Sequence, residues 1–151
     1  MMIKKNIGMV DISAKPITAR RAVASGCVTL SIKAFNILIT DGSPKGDVIE
    51  TARLAGIMSV KKTPDILPLC HPILIEKTKV SVELNNKQRK VIITAEVYAS
   101  GKTGVEMEAL TAVSAACLCV YDMMKFAGQD MRISDINLTH KSGGKSGVYN
   151  K

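Results

Sequence analysis

Apolar and polar positions change period several times along the chain, and each change marks an element. "RRAVASGCVTL" alternates small and apolar residues around Val23, Cys27 and Val28, the period of a strand. "SIKAFNILITDG" then spaces Ile32, Phe35 and Leu38 at helical intervals and stops at Asp41-Gly42. After the turn "DGSPKGD", Val48, Ala52 and Ala55 repeat with helix period, and Ile49 widens their face. "PDILPLCHP" holds three prolines in nine residues and is expected to be irregular. "ILIEKTKVSVEL" and "KVIITAEVYAS" alternate on either side of the polar "NNKQR" and predict a hairpin. The longest helical pattern runs from Gly104 to about Ala127, followed by the alternating strand "MRISDINL".

Strand, two helices, paired strands, helix, strand is the order of an α+β fold. An antiparallel sheet with its helices packed on one face, ferredoxin-like in outline, satisfies it most economically. The chain of 151 residues is expected to form a single domain, 1–151, with short flexible ends at 1–8 and 148–151. The long helix is apolar nearly all round and rich in Ala, Cys and Met, which predicts burial against the sheet and against a second subunit.

Charge narrows the partners. A formal net charge of +8 favours nucleic acid, anionic headgroups or a small polyphosphorylated substrate. A base-stacking sheet needs aromatic side chains, and two Phe, three Tyr and no Trp supply few, so nucleic acid is not the expected partner. Cys27, Cys70, Cys117 and Cys119 form no C-x-x-C pair and have only His71 and His140 to join them, a poor zinc set and no disulfide framework. No run approaches about 18 apolar residues and the N-terminus has no apolar leader core, so a cytoplasmic protein with reduced thiols and no membrane partner is expected.

Two glycine-lysine stretches invite a nucleotide-loop reading, "SGKTGVEMEALTA" and "KSGGKSG". A phosphate loop of the G-x-x-x-x-G-K-[ST] kind needs a glycine five residues before Gly101 or Gly144; Glu96 and Thr139 stand there instead. Thr103 and Glu106 match a T-x-x-E capping box, and a site role for Glu106 stays open beside it. "KSGGKSG" reads equally as a basic tail.

On a helical projection Glu108, Thr111, Ser114, Asp122 and Lys125 share one sector, either a solvated edge with an Asp122–Lys125 pair or a proton-transfer site. Lys45, between Pro44 and Gly46 at a helix start, is either a turn lysine or an anion holder. His71, between Cys70 and Pro72, is either held for chemistry or part of a stiff loop.

Taken together, "MVDISAK" with Arg20, "KGDVIETARLAGI", "LPLCHP", "GKTGVEMEALTA", "YDMMK" and "KSGGKSG" resemble the molybdenum cofactor biosynthesis protein C (MoaC) family over roughly Met9 to Gly147. The resemblance implies a lyase that takes the cyclised GTP made by a radical S-adenosylmethionine enzyme, 3',8-cyclo-7,8-dihydroguanosine 5'-triphosphate. It rearranges this into cyclic pyranopterin monophosphate and releases pyrophosphate. It also implies a ferredoxin-like subunit and a homohexamer, a trimer of dimers, with active sites at subunit interfaces. By position it makes Asp122 and Lys125 the catalytic pair. Leu69, Cys70, His71, Glu106, Met107 and Glu108 become substrate contacts, and Arg20, Lys45 and Lys141 the basic residues of the pocket. The sequence requires no cofactor and marks no metal site; a divalent metal accompanying the triphosphate is compatible with it.

Overall fold

The computed structural model describes residues 6–151. Residues 1–5 of the end expected to be flexible lie outside the described residues. The elements are β1 (Thr18–Thr29), α1 (Ile32–Thr40), α2 (Val48–Val60), α3 (Thr63–Ile66), β2 (Lys77–Asn85), β3 (Lys90–Gly101), α4 (Glu106–Met124), β4 (Arg132–Ser142) and β5 (Tyr149–Asn150). A 3₁₀ turn, Lys125–Ala127, finishes α4. All neighbouring strands pair antiparallel, in the order β2-β3-β1-β4-β5. The first four strands thus stand as β4-β1-β3-β2 around two helical crossovers, the ferredoxin-like outline.

Strand periodicity decides which face is covered. Ala22, Ala24 and Val28 of β1 are buried opposite Val97, Ala95 and Val91 of β3, while alternate residues such as Arg21, Ser25, Thr94 and Glu96 are only half-buried. α4 lies across the covered face with Ala109, Ala112, Val113, Ala116 and Val120 fully buried. Gly26 lets β1 approach it, since a Cβ there would sit 2.7 Å from a Val113 methyl. α2 packs beside α4, with Gly56 against the Ala112 carbonyl. Glu106–Ala127 is long and apolar enough to cross a membrane, with mean hydropathy 1.4 over 18 residues, contrary to the expectation that no stretch approaches this. Here that hydropathy serves a core helix held between the sheet and α2.

Helix ends follow local chemistry. Ser31 and Asp47 cap α1 and α2 by accepting from the Ala34 and Glu50 amides, each cap contributing about 1 kcal/mol. α1 stops where Gly42, at φ 73°, turns its N–H back to the Ile37 carbonyl at 2.8 Å.

Two further expectations are corrected. The proline-rich segment contains one helical turn, α3, because Pro64 falls in its first turn, where a missing N–H costs nothing. The apolar run Ile73–Ile75 precedes β2 and packs its isoleucines against the core without joining the ladder. At the C-terminal end, Tyr149 and Asn150 pair with Lys141 and His140.

Candidate active site

The start of β1, the end of β3, the first turn of α4 and the end of β4 converge at one end of the sheet. They enclose a cavity of about 580 Å³ lined by Lys15, Arg20, Lys102, Lys141 and Lys145. Arg20 is aimed by two backbone carbonyls, donating from Nε to Gly101 at 3.3 Å and from Nη1 to Gly143 at 3.2 Å. "KSGGKSG" is therefore part of a built wall. Gly143 and Gly144 are left-handed, at φ 95° and 77°, and a Cβ on Gly144 would collide with the Arg20 guanidinium. The Thr18 hydroxyl, also in this wall, is buried and has no hydrogen-bond partner among the described residues.

A second cavity of about 300 Å³ adjoins the first, the two sharing Lys15, Thr103, Gly104 and Glu106. Its far side carries Leu69, Cys70, His71, Met107 and Glu108. Glu108 is only 2% exposed, and burial, then the charge of Glu106, raises its carboxyl above the ordinary range. Burial, then Glu108, likewise pushes up the Cys70 thiol, which disfavours a thiolate nucleophile there. Glu106 stands at the junction and accepts from the Lys141 ammonium at 3.0 Å. That pair replaces the expected capping box: the cap position is Val105, with no side-chain hydrogen bond, and Thr103 lies two residues too early.

The remaining predicted residues form a separate cluster at the other end of α4. Asp122 accepts from Lys125 at 2.8 Å on one oxygen and from Lys45 at 2.6 Å on the other. Those hydrogen bonds, Lys125 first, lower the Asp122 carboxyl to about 2, and Asp122 in turn raises Lys125. Lys45 is delivered by Ser43, whose hydroxyl donates to the Met123 carbonyl at 2.7 Å and accepts from the Lys45 amide at 3.2 Å. In this chain Lys45 therefore joins Asp122, not Arg20 and Lys141. At about 1.5 Å per helical residue, Asp122 stands about 21 Å along α4 from Glu108.

The expected polar sector of α4 is also revised, since Glu108 is buried while Asp122 and Lys125 are exposed. Lys15, Lys102, Lys145 and Thr18 were not singled out from sequence. The first three sit inside "MVDISAK", "GKTGVEMEALTA" and "KSGGKSG", and that placement was the available signal. Among the described residues no three His, Cys, Asp or Glu side chains gather as a metal ion would require.

Residues 9–144 match the MoaC family. The chain is similar to proteins named cyclic pyranopterin monophosphate synthase. That of Parvibaculum lavamentivorans is 51% identical over 141 residues, 93% of this chain and 88% of the relative. That of Methylobacterium nodulans is 52% identical over 141 residues, with 93% and 88% covered. That of Rhodospirillum rubrum is 50% identical over 144 residues, 95% of this chain and 87% of the relative.

Proposed function

This chain belongs to the MoaC family, and on that premise we propose that it is a cyclic pyranopterin monophosphate synthase, acting in the cytoplasm on the cyclised GTP of an upstream enzyme. The observation that carries the reading is the pair of joined cavities. A cationic chamber suits a triphosphate, and the adjoining chamber, with a buried carboxyl, a histidine and apolar walls, suits a purine-derived ring.

The reaction is a phosphorus–oxygen lyase step. A substrate hydroxyl attacks the α-phosphorus and gives up its proton to solvent, the bond to the β-phosphate breaks, and pyrophosphate leaves with the electron pair. Arg20, Lys141, Lys102 and Lys145 stabilise the charge that grows on the phosphate oxygens, with Arg20 held ready by its two carbonyls. Glu108, His71, Cys70, Leu69 and Met107 orient the ring, and Glu106 divides its negative charge between Lys141 and the ligand side. No resident cofactor enters this scheme; a divalent ion would arrive on the triphosphate.

Proton transfer belongs to Asp122, Lys125 and Lys45. With its carboxyl lowered to about 2, Asp122 is a charged partner that holds Lys125 protonated and aims both ammonium groups by accepting their hydrogen bonds, so proton donation to the substrate falls to the lysines. About 21 Å of α4 separates this group from Glu108 within one subunit. A second copy therefore supplies it, in a homohexamer built as a trimer of dimers with its sites at subunit interfaces.

Incubating the pure protein with 3',8-cyclo-7,8-dihydroguanosine 5'-triphosphate tests the activity. Release of pyrophosphate together with a pterin precursor is expected. Recovery of unchanged substrate would reject the reading.

A further inference from the structure

At the end of the sheet away from Arg20 and Lys141, the β1–α1 junction, the β2–β3 turn and the start of β4 enclose a cavity of about 550 Å³. Its wall includes Arg89, Lys90, Arg132, Ser31, Asp130 and Asp135. Thr18 and Thr29 end the same strand, so this cavity lies about 35 Å from the phosphate chamber.

Three observations single it out. First, two buried side-chain polar atoms lack a hydrogen-bond partner among the described residues. One is the Thr18 hydroxyl of the phosphate chamber, and the other is Arg89 Nε in this wall. A buried guanidinium N–H without an acceptor is costly unless something arrives to accept from it. Second, Arg89 sits at φ 52° in the hairpin turn, a position that suits glycine, and its carbonyl accepts from the Leu30 amide at 2.9 Å. A cationic side chain thus occupies a place where local backbone preference calls for none. Third, only one of the three cations of this wall, Lys90, is paired in place. Asp135 is engaged by Ser134 at 3.1 Å and by Lys90 at 3.9 Å, and Arg89 and Arg132 make no ion pair among the described residues.

We propose that this cavity is a second anion site, which takes the phosphate group of a small phosphorylated ligand between Arg89 and Arg132. Two guanidinium groups offer the fork geometry that phosphate oxygens accept. Ser31 caps α1, and that helix has no acidic residue in its first turn, so its positive end adds to the same field. The volume accommodates pyrophosphate or a mononucleotide, and Asp130, with no ion pair of its own among the described residues, is left to accept from ligand hydroxyl or amino groups.

Pyrophosphate titrated calorimetrically into the full-length protein tests this, with GTP in a parallel arm. Wild type should show two classes of pyrophosphate site, Lys141→Ala keeping one and Arg89→Gly keeping the other. Glycine suits the left-handed turn, so Arg89→Gly should fold and turn over substrate as wild type does. It should bind at the distal site roughly tenfold more weakly or worse. Arg132→Gln gives the same loss without touching the turn. Tighter binding of GTP than of pyrophosphate at the surviving Lys141→Ala site would assign a nucleotide, and equal binding a bare diphosphate; either upholds the site. A single class in wild type, or a titration unaltered by both Arg89→Gly and Arg132→Gln, overturns it.

Discussion

The Lys141 ammonium of β4 donates to the Glu106 carboxylate of α4 at 3.0 Å, and this pair closes the junction between the two joined cavities. Both side chains are about a quarter exposed, at 27% and 26%, so the pair contributes at most about 1 kcal/mol to stability. Lys141→Ala is therefore expected to leave the melting temperature within a few degrees of wild type while raising KM at least about tenfold through one lost phosphate contact. Steady-state pyrophosphate release and a thermal melt check the two halves.

Glu108 connects stability to pH. Its folded-state carboxyl is raised by burial above the ordinary value of 4.5, so the folded protein holds that proton more tightly than the unfolded chain does. The resulting stability is fully present below 4.5 and is lost as pH rises through the folded value. Glu108→Gln removes the charge and should raise the melting temperature at neutral pH, the gain shrinking toward acid, while ring positioning and turnover suffer. Melts of both proteins between acid and neutral pH would expose an opposite trend.

Asp122 works in the other sense. Hydrogen bonds from Lys125 and Lys45 lower it to about 2, so its contribution is present above the ordinary value of 3.8 and is lost as pH falls toward 2. Any acid limb of the pH–rate profile above about pH 5 should therefore survive unchanged in position in whatever residual activity Asp122→Asn retains. That variant should fold normally, because the group is exposed, and lose at least about a hundredfold in kcat.

Gly144 tests the wall built by the second glycine-rich stretch. Gly144→Ala meets both a left-handed backbone and the Arg20 guanidinium, so it should destabilise by about 1–2 kcal/mol and displace Arg20. Gly147→Ala is also left-handed but has open space around its Cβ, so it carries the backbone cost alone. A larger activity loss in the first variant than in the second, at comparable stability, separates the two effects.

Elements with a clean period were legible in the sequence. β1, α1, α2 and the β2–β3 hairpin follow alternation or helical spacing that depends only on near neighbours. What escaped depends on distant ones. Glu108 projects into the same sector as Asp122 on a helical wheel, but the start of α4 is roofed by the 69–71 segment and its end is not, so one is buried and the other exposed. Thr103 and Glu106 have the spacing of a capping box, and Lys141, 35 residues away, draws the glutamate off. Lys45 reaches Asp122 across 77 residues because Ser43 bonds the last turn of α4, a contact no local pattern encodes. The site motifs were legible as blocks, and their division into two ends of one helix was visible only in the fold.

That division is tested most directly by complementation. Asp122→Ala, impaired in kcat, and Lys141→Ala, impaired in KM, are co-refolded in equal amounts, and pyrophosphate release is measured at a concentration of cyclised GTP well below the wild-type KM, where each parent turns over only weakly. If the two residues of one site come from different chains, about a quarter of the wild-type rate should return. If they come from the same chain, the mixture will stay as weak as its parents, and a site shared between chains will be contradicted.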